Sequence, residues 1–308
     1  MIDPSPLRLL SLHALRVKGG RLYRANWRNL MTYKTILVHV DNSERALERI
    51  RIAIELAQTH DAHLVGLATV GMIALSNTYG LDGTPAYMAE ALADMEGIAA
   101  MAAERFDAKA RAAGLSSYES RVHRGDPTYE VCTDARYADL VVLGQTEPSQ
   151  STAATPEDLP ETVMLSCGRP VLIIPYAGHF RTLGRRVMFL WNASRESARA
   201  ASDALPFFTR ADEVRVSVFD AKANMGGHGD EPGSDVATYL ARQGATVTVN
   251  RDTSSGEVGS SVLSRANDFD ADLIVMGGYG HTRLREWVLG GVSKTLLEHM
   301  TVPVLMSH

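Results

Sequence analysis

The stretch Asp272 to Thr295, DLIVMGGYGHTRLREWVLGGVSKT, decides how the rest of the chain is read. Leu273-Ile274-Val275-Met276 is a continuous apolar run, the pattern of a strand buried on both faces of a parallel sheet. Glycines stand at 277, 278 and 280, where such a strand would end. Gly290-Gly291 follows Gly280 after nine intervening residues, just ahead of a segment with helical spacing (Val292, Leu296, Leu297, His299). Glycine lets backbone N–H groups approach a ligand and adopt positive φ, and a helix N-terminus attracts anions. A strand end facing a helix N-terminus across such glycines makes a phosphate cradle. The same spacing fits an ordinary strand–loop–helix connection, and spacing alone does not separate the two readings.

Working outward, the alternation of strand and helix recurs along the whole chain. Strands are expected at 35–40, 63–70, 118–123, 138–144 and 170–174, with helices from 46 to about 60, 86–113, 128–136 and 157–167 between them. The pattern then restarts. Strands are expected at 186–191, 214–219, 245–250, 272–277 and 303–306, and helices at 195–209, 234–243, 257–267 and after Gly291. The repeat can be checked by counting. Ala138-Asp139-Leu140 matches Ala271-Asp272-Leu273, and Pro170-Val171-Leu172 matches Pro303-Val304-Leu305; 271 − 138 and 303 − 170 both give 133. The turns after the first strands, at Asp41 and Asn192, differ by 192 − 41 = 151, so the first repeat is longer by 151 − 133 = 18 residues, placed most simply around Gly71 to Met88. Strands alternating with helices imply parallel sheets with right-handed crossovers and helices on both faces.

Composition narrows the function classes. At 308 residues, 45% hydrophobic and 22% charged, the chain reads as a globular protein of two domains. No run approaches the ~18 apolar residues of a membrane-spanning helix. A net charge of −5 gives no reason to expect a nucleic-acid partner. Cys132 and Cys167 form no metal-ligand spacing and suit a reducing cytosol, so a cytoplasmic setting is expected. Residues 1–32 carry Arg8, Arg16, Lys18, Arg21, Arg24 and Arg28 against Asp3 alone, and read as a basic, disordered extension with Met31 as the effective start of the folded part.

The buried strand followed by G-x2-G-x9-G (Gly277, Gly280, Gly290), the Asp-x-Ser and Asn-x-Ser turns after the first strand of each repeat, and the Pro-Val-Leu start of each last strand resemble the universal stress protein family. The resemblance covers residues 33–308 as two tandem copies, a first domain at 33–178 and a second at 184–308. It implies an α/β fold of two doubly wound, five-stranded parallel sheets in order 3-2-1-4-5, packed as an intramolecular pseudo-dimer. Some members of the family bind ATP and others do not. Carried onto this chain, the nucleotide site falls in the second domain. Asn192 stands where the family usually has Asp near ribose or adenine. Val218 matches the residue whose backbone reads adenine. Met276, Gly277, Gly280, Gly290, Gly291, Val292 and Ser293 surround ribose and phosphates. Asn192 and Gly291 both depart from the family pattern, which leaves the ligand's identity open.

In the first domain the same count gives Gly144, Glu147, Glu157 and Asp158 in place of Gly277, Gly280, Gly290 and Gly291. Acids at a phosphate site repel the ligand by roughly 4 kcal/mol per close pair at an effective dielectric of about 20, less when exposed and in salt. The first domain therefore reads as a degenerate, supporting partner. Outside this constellation, His281, Arg283 and Arg285 could reach phosphates or simply face solvent, Trp287 reads as packing, and His39 reads as a satisfied core histidine. Gly-x-x-x-x-Gly-Lys is absent before Lys294-Thr295, and Gly278-x-Gly280 lacks the third glycine of a dinucleotide fingerprint. No activated nucleophile, general base or metal-spaced cluster stands out.

The sequence-level expectation is thus a cytoplasmic stress-response protein that binds ATP or another adenine nucleotide, with Mg2+ as an optional companion, and works through protein partners, a homodimer of the tandem chain among them. A ligand-free dimerising scaffold is the alternative and a weak ATPase the third reading. Nucleic acid and membrane are not expected as partners.

Overall fold

The computed structural model describes residues 15–18, 21–24, 32–71, 85–147, 151–221, 227, 229–254, 256–278 and 291–308. The chain divides into Met1–Thr32 and Tyr33–His308. In the first unit β1 (Leu15–Lys18) pairs antiparallel with β2 (Arg21–Arg24).

The apolar runs of the second unit become strands of one sheet. The first repeat supplies β3 (Thr35–Val40), β4 (His63–Thr69), β5 (Tyr118–His123), β6 (Leu140–Gly144) and β7 (Val171–Ile174). The second supplies β8 (Arg186–Leu190), β9 (Glu213–Phe219), β10 (Val247–Asp252), β11 (Leu273–Gly277) and β12 (Val304–Ser307). The ten strands run β10-β9-β8-β11-β12-β7-β6-β3-β4-β5. Each half has the expected order 3-2-1-4-5, and within each half every pairing is parallel. The halves join through β12 and β7, which pair antiparallel at Val304↔Ile173, Leu305↔Leu172 and Met306↔Val171. Leu172 and Leu305 are the same position of the repeat, so this register is self-complementary about a pseudo-twofold, the single-chain version of an isologous interface.

Helices cover both faces. α1 (Arg45–His60), α2 (Pro85–Ala112), α5 (Arg195–Asp203), α6 (Leu205–Phe208) and α7 (Ser234–Arg242) close one core with Ile36, Val38, Phe106, Phe189 and Phe208. α3 (Pro127–Ala135), α4 (Leu159–Ser166), α8 (Val258–Asp268) and α9 (Gly291–His299) close the other with Leu37, Leu143, Val163 and Ile274. Alternate residues of β3 and β11 feed alternate cores, as the period of a strand requires.

Three local expectations change. The helix expected over 195–209 is two, α5 and α6, because Pro206 offers no N–H and its ring crowds the preceding turn. β10 lies at Val247–Asp252, two residues later than expected; it is an edge strand, where Asn250, Arg251 and Asp252 pair through backbone while their side chains stay polar. The extra length of the first repeat lies in the helix after the second strand: α2 has 28 residues and α7 has 9.

Candidate functional site

In a doubly wound sheet the crevice forms where neighbouring strands send their connections to opposite faces, at their carboxyl ends. In the second domain that point lies between β8, which leads into α5 on one face, and β11, which leads toward α9 on the other. The sequence-predicted residues gather along this edge. Asn192 follows β8; it is exposed, and its Oδ1 accepts the Ser194 amide at 3.1 Å. Ala193 between them takes φ of 58°. Ser194 caps α5, its Oγ accepting the Ser197 amide at 3.1 Å. Val218, near the end of β9, is buried and pairs with Arg251. Met276 and Ser293 are buried, Val292 is half-buried, and Gly291 is exposed on the first turn of α9. Gly280 and Gly290 lie outside the described residues, as do His281, Arg283, Arg285 and Trp287.

The glycines that are described do different work. A Cβ on Gly277 would stand 2.4 Å from the Ser197 amide nitrogen, so its bare backbone seats the first turn of α5. A Cβ on Gly278 would stand 2.6 Å from Met164 Sδ, a side chain of the other repeat. Gly291 is different: a Cβ there meets none of the described residues within 4 Å. The first described turn of α9 starts at Gly291, and backbone N–H groups at the start of a helix can hold an anion. Two buried hydroxyls on the same edge, Ser217 Oγ and Ser307 Oγ, have no hydrogen-bond partner among the described residues. These features fit a polar ligand at the second domain's edge, and the fit rests on α9 and the hydroxyls rather than on Gly277 or Gly278.

The first domain's edge is built otherwise. The residue missed by sequence reasoning is Arg49, on the core-facing side of α1 and only 5% exposed. Its Nε donates to the His39 carbonyl at 2.7 Å and its Nη2 to Asp41 Oδ2 at 2.6 Å. A Cβ on Gly144 would lie 2.3 Å from Nη1. The guanidinium thus occupies the space over Gly144 that α5's backbone occupies over Gly277, and the residue at the corresponding place in α5 is Ala200. Burial alone would raise the Asp41 pKa, but Arg49 and the hydrogen bonds from Ser43 and Arg49 hold it well below the usual carboxylate range. His39 is buried as expected, its Nε2 3.2 Å from Thr69 Oγ1; burial, then Arg49, lowers its pKa to about 4. Glu157 and Asp158 are exposed at the start of α4. Beside the Arg49–Asp41 pair opens a cleft of about 440 Å3. Among the described residues no group of three or more His, Cys, Asp or Glu is placed to hold a metal, and no helix is long and apolar enough to cross a membrane.

A tandem doubly wound α/β protein, its halves joined about a pseudo-twofold, is the class these features define. The Universal stress protein family model matches residues 32–175 and 185–308, and the chain belongs to that family. A universal stress protein from Archaeoglobus fulgidus has a similar fold at a TM-score of 0.64 and 18% identity, over 89% of this chain and 97% of that one. A putative universal stress protein from Pseudomonas aeruginosa gives 0.55 and 15%, over 92% and 95%. A universal stress protein in complex with cAMP is 23% identical over 47% of this chain and 99% of its own, at a TM-score of 0.32. No curated protein matches the chain.

Proposed function

We propose that this stress-response protein binds an adenine nucleotide at the edge of its second domain and that occupancy governs its association with protein partners, a second copy of the chain among them. The observation that carries the reading is the position of α9, whose first described turn at Gly291 follows β11 at the switch point, on the same edge as Asn192. Its backbone N–H groups supply anion-binding capacity, and the Asn192 amide retains donors for a ribose or base. The buried Ser217 and Ser307 hydroxyls add polar partners nearby. Two buried cysteines with free thiols suit a cytoplasmic setting.

Calorimetry with ATP, ADP, AMP and cyclic AMP on the intact protein and on Gly291→Glu tests it. Gly291 is exposed, so a glutamate there adds a charge that opposes phosphate. ATP binding is expected to weaken at least tenfold; equal heats for both proteins, or none for either, sink the reading. The filling of Gly277 and Gly278 by α5 and Met164 favours a second reading, a ligand-free scaffold in which these glycines serve packing alone. Mass spectrometry of natively purified protein separates the two, since a co-purifying nucleotide counts against the scaffold.

A further inference from the structure

We propose that Gln145, in the first repeat, is a positioning residue for α9 of the second. Through it the first repeat sets how tightly the second holds a phosphate-bearing ligand, a control that rests on the nucleotide reading above. Gln145 follows β6 and is 8% exposed. Its Nε2 donates to the Leu297 carbonyl at 2.8 Å and to the Glu298 carbonyl at 3.2 Å. Its Oε1 accepts the Tyr176 amide at 3.1 Å, and its own N–H donates to the Ile174 carbonyl at 2.7 Å. A side-chain amide that faces one N–H and two carbonyls has a single orientation that satisfies all three. The last carbonyls of a helix have no partner within it, so Gln145 caps the carboxyl end of α9 from the other half of the chain. A helix of nine residues is marginal by itself and takes its place from tertiary contacts.

The repeat gives this contact a counterpart of different chemistry. Gln145 corresponds to Gly278 and Met164 to Leu297, since 278 − 145 and 297 − 164 both give 133. The pseudo-twofold therefore brings the same two positions together on both sides of the β7–β12 seam. On one side the Gln145 amide binds the Leu297 carbonyl. On the other, Gly278 has no side chain to donate, and Met164 Sδ lies 2.6 Å from where its Cβ would stand. At this position, then, the helix of the nucleotide edge is held by a side chain of the opposite repeat, and α4 is not. Gly278 also begins the segment that leads from β11 to α9. The first repeat thus meets that segment at its start, through Met164, and meets α9 at its end, through Gln145. A helix of this length is about 13 Å long, and an N–H···O bond weakens outside about 2.7–3.2 Å. Freeing one end of such a rod lets the amides at the other swing out of line with a phosphate.

Gln145→Met keeps the length of the side chain and removes its donors and its acceptor. The test is hydrogen–deuterium exchange read by mass spectrometry, with calorimetry on ATP and adenosine, all on the full chain. Exchange across α9 is expected to rise at least tenfold in Gln145→Met, while α7, which packs on the other face of the sheet, stays within twofold. ATP is expected to bind at least fivefold more weakly. Adenosine, which carries no phosphate for α9 to meet, is expected to change less than twofold. Gln145→Asn, polar but too short by a methylene to reach α9, is expected to show the same pattern. Unchanged exchange in α9, or an equal rise in α7, overturns the positioning of α9. Equal weakening of ATP and adenosine overturns the link to phosphate. ATP binding by Gln145→Met equal to that of the wild type overturns this proposal and leaves the second-domain reading standing, whereas no ATP binding by either protein sinks that reading and this proposal with it.

Discussion

Arg49 shows why one side chain separates two repeats of the same fold. An arginine buried to 5% exposure is tolerable because each side of its guanidinium meets an oxygen or a glycine. Removing one partner of such a pair costs more than removing both. Arg49→Met is therefore expected to destabilise by about 3 kcal/mol and the double variant with Asp41→Asn by markedly less. Denaturant titrations of the four proteins of the cycle measure this, and an Arg49→Met cost below ~1 kcal/mol would contradict a buried, paired guanidinium. The glycines give a second contrast at this scale. Gly277→Ala pushes a methyl into α5's backbone, whereas Gly278→Ala meets the flexible end of Met164. The first should cost about 3 kcal/mol and the second about 1 or less; the reverse order would mean that α5 does not seat on Gly277. The glycine positions were legible in the sequence, but their partners were not, because Ser197 and Met164 come from distant segments. Arg49 was legible only as a charge interrupting the apolar spacing of Ala46, Ile50 and Ala53, a pattern ordinarily assigned to solvent.

At the scale of elements, the apolar runs and cap residues specified most of the fold directly. Buried parallel strands are continuous apolar segments, and Asn-x-Ser places a hydroxyl at the first turn of α5. Ser194 is itself buried, so Ser194→Ala leaves the Ser197 amide without its cap and should cost about 1–2 kcal/mol by thermal or chemical denaturation. A change within a few tenths would show that another group satisfies that amide. What the elements hid was length and interruption. An alanine-rich segment such as Pro85–Ala112 satisfies helix propensity throughout, so a count of repeat offsets locates an insertion between strands without saying that it lengthens a helix. Pro206 was the available signal for the break between α5 and α6. The candidate site was legible as an edge and a set of glycines. The difference between its halves, α5 backbone over Gly277 in one repeat and the Arg49 guanidinium over Gly144 in the other, needed the packing.

At the scale of the whole molecule, the repeats are joined along β7 and β12 and again beside the sheet, where α1 meets the second repeat. There His60 Nδ1 accepts Arg210 Nη1 at 2.9 Å, its ring lies 5.0 Å from Tyr33, and the Tyr33 hydroxyl donates to the Asp203 carbonyl at 2.8 Å. Burial, then Arg210 and Lys34, lowers the His60 pKa to about 3, and His39 is held at about 4. Both histidines are therefore neutral in the folded protein at pH 5, whereas an unfolded histidine titrates near 6.5. Below that value the unfolded chain binds more protons than the folded one, so stability falls as pH falls. Their contribution is complete above pH ~6.5 and is lost progressively toward pH 3–4. Asp41 and Glu48, whose pKa values are lowered, lose their contribution only below the ordinary carboxylate range near 4, outside this window. Between pH 7.5 and 5 the unfolding free energy should drop by about 2 kcal/mol per histidine, or about 4 in all, measured by guanidinium titration at each pH. His60→Gln, which does not titrate, should remove about half of that drop. A stability that stays flat between pH 7.5 and 5, or a pH dependence unchanged in His60→Gln, would mean that the contact between the repeats at His60 opens to water.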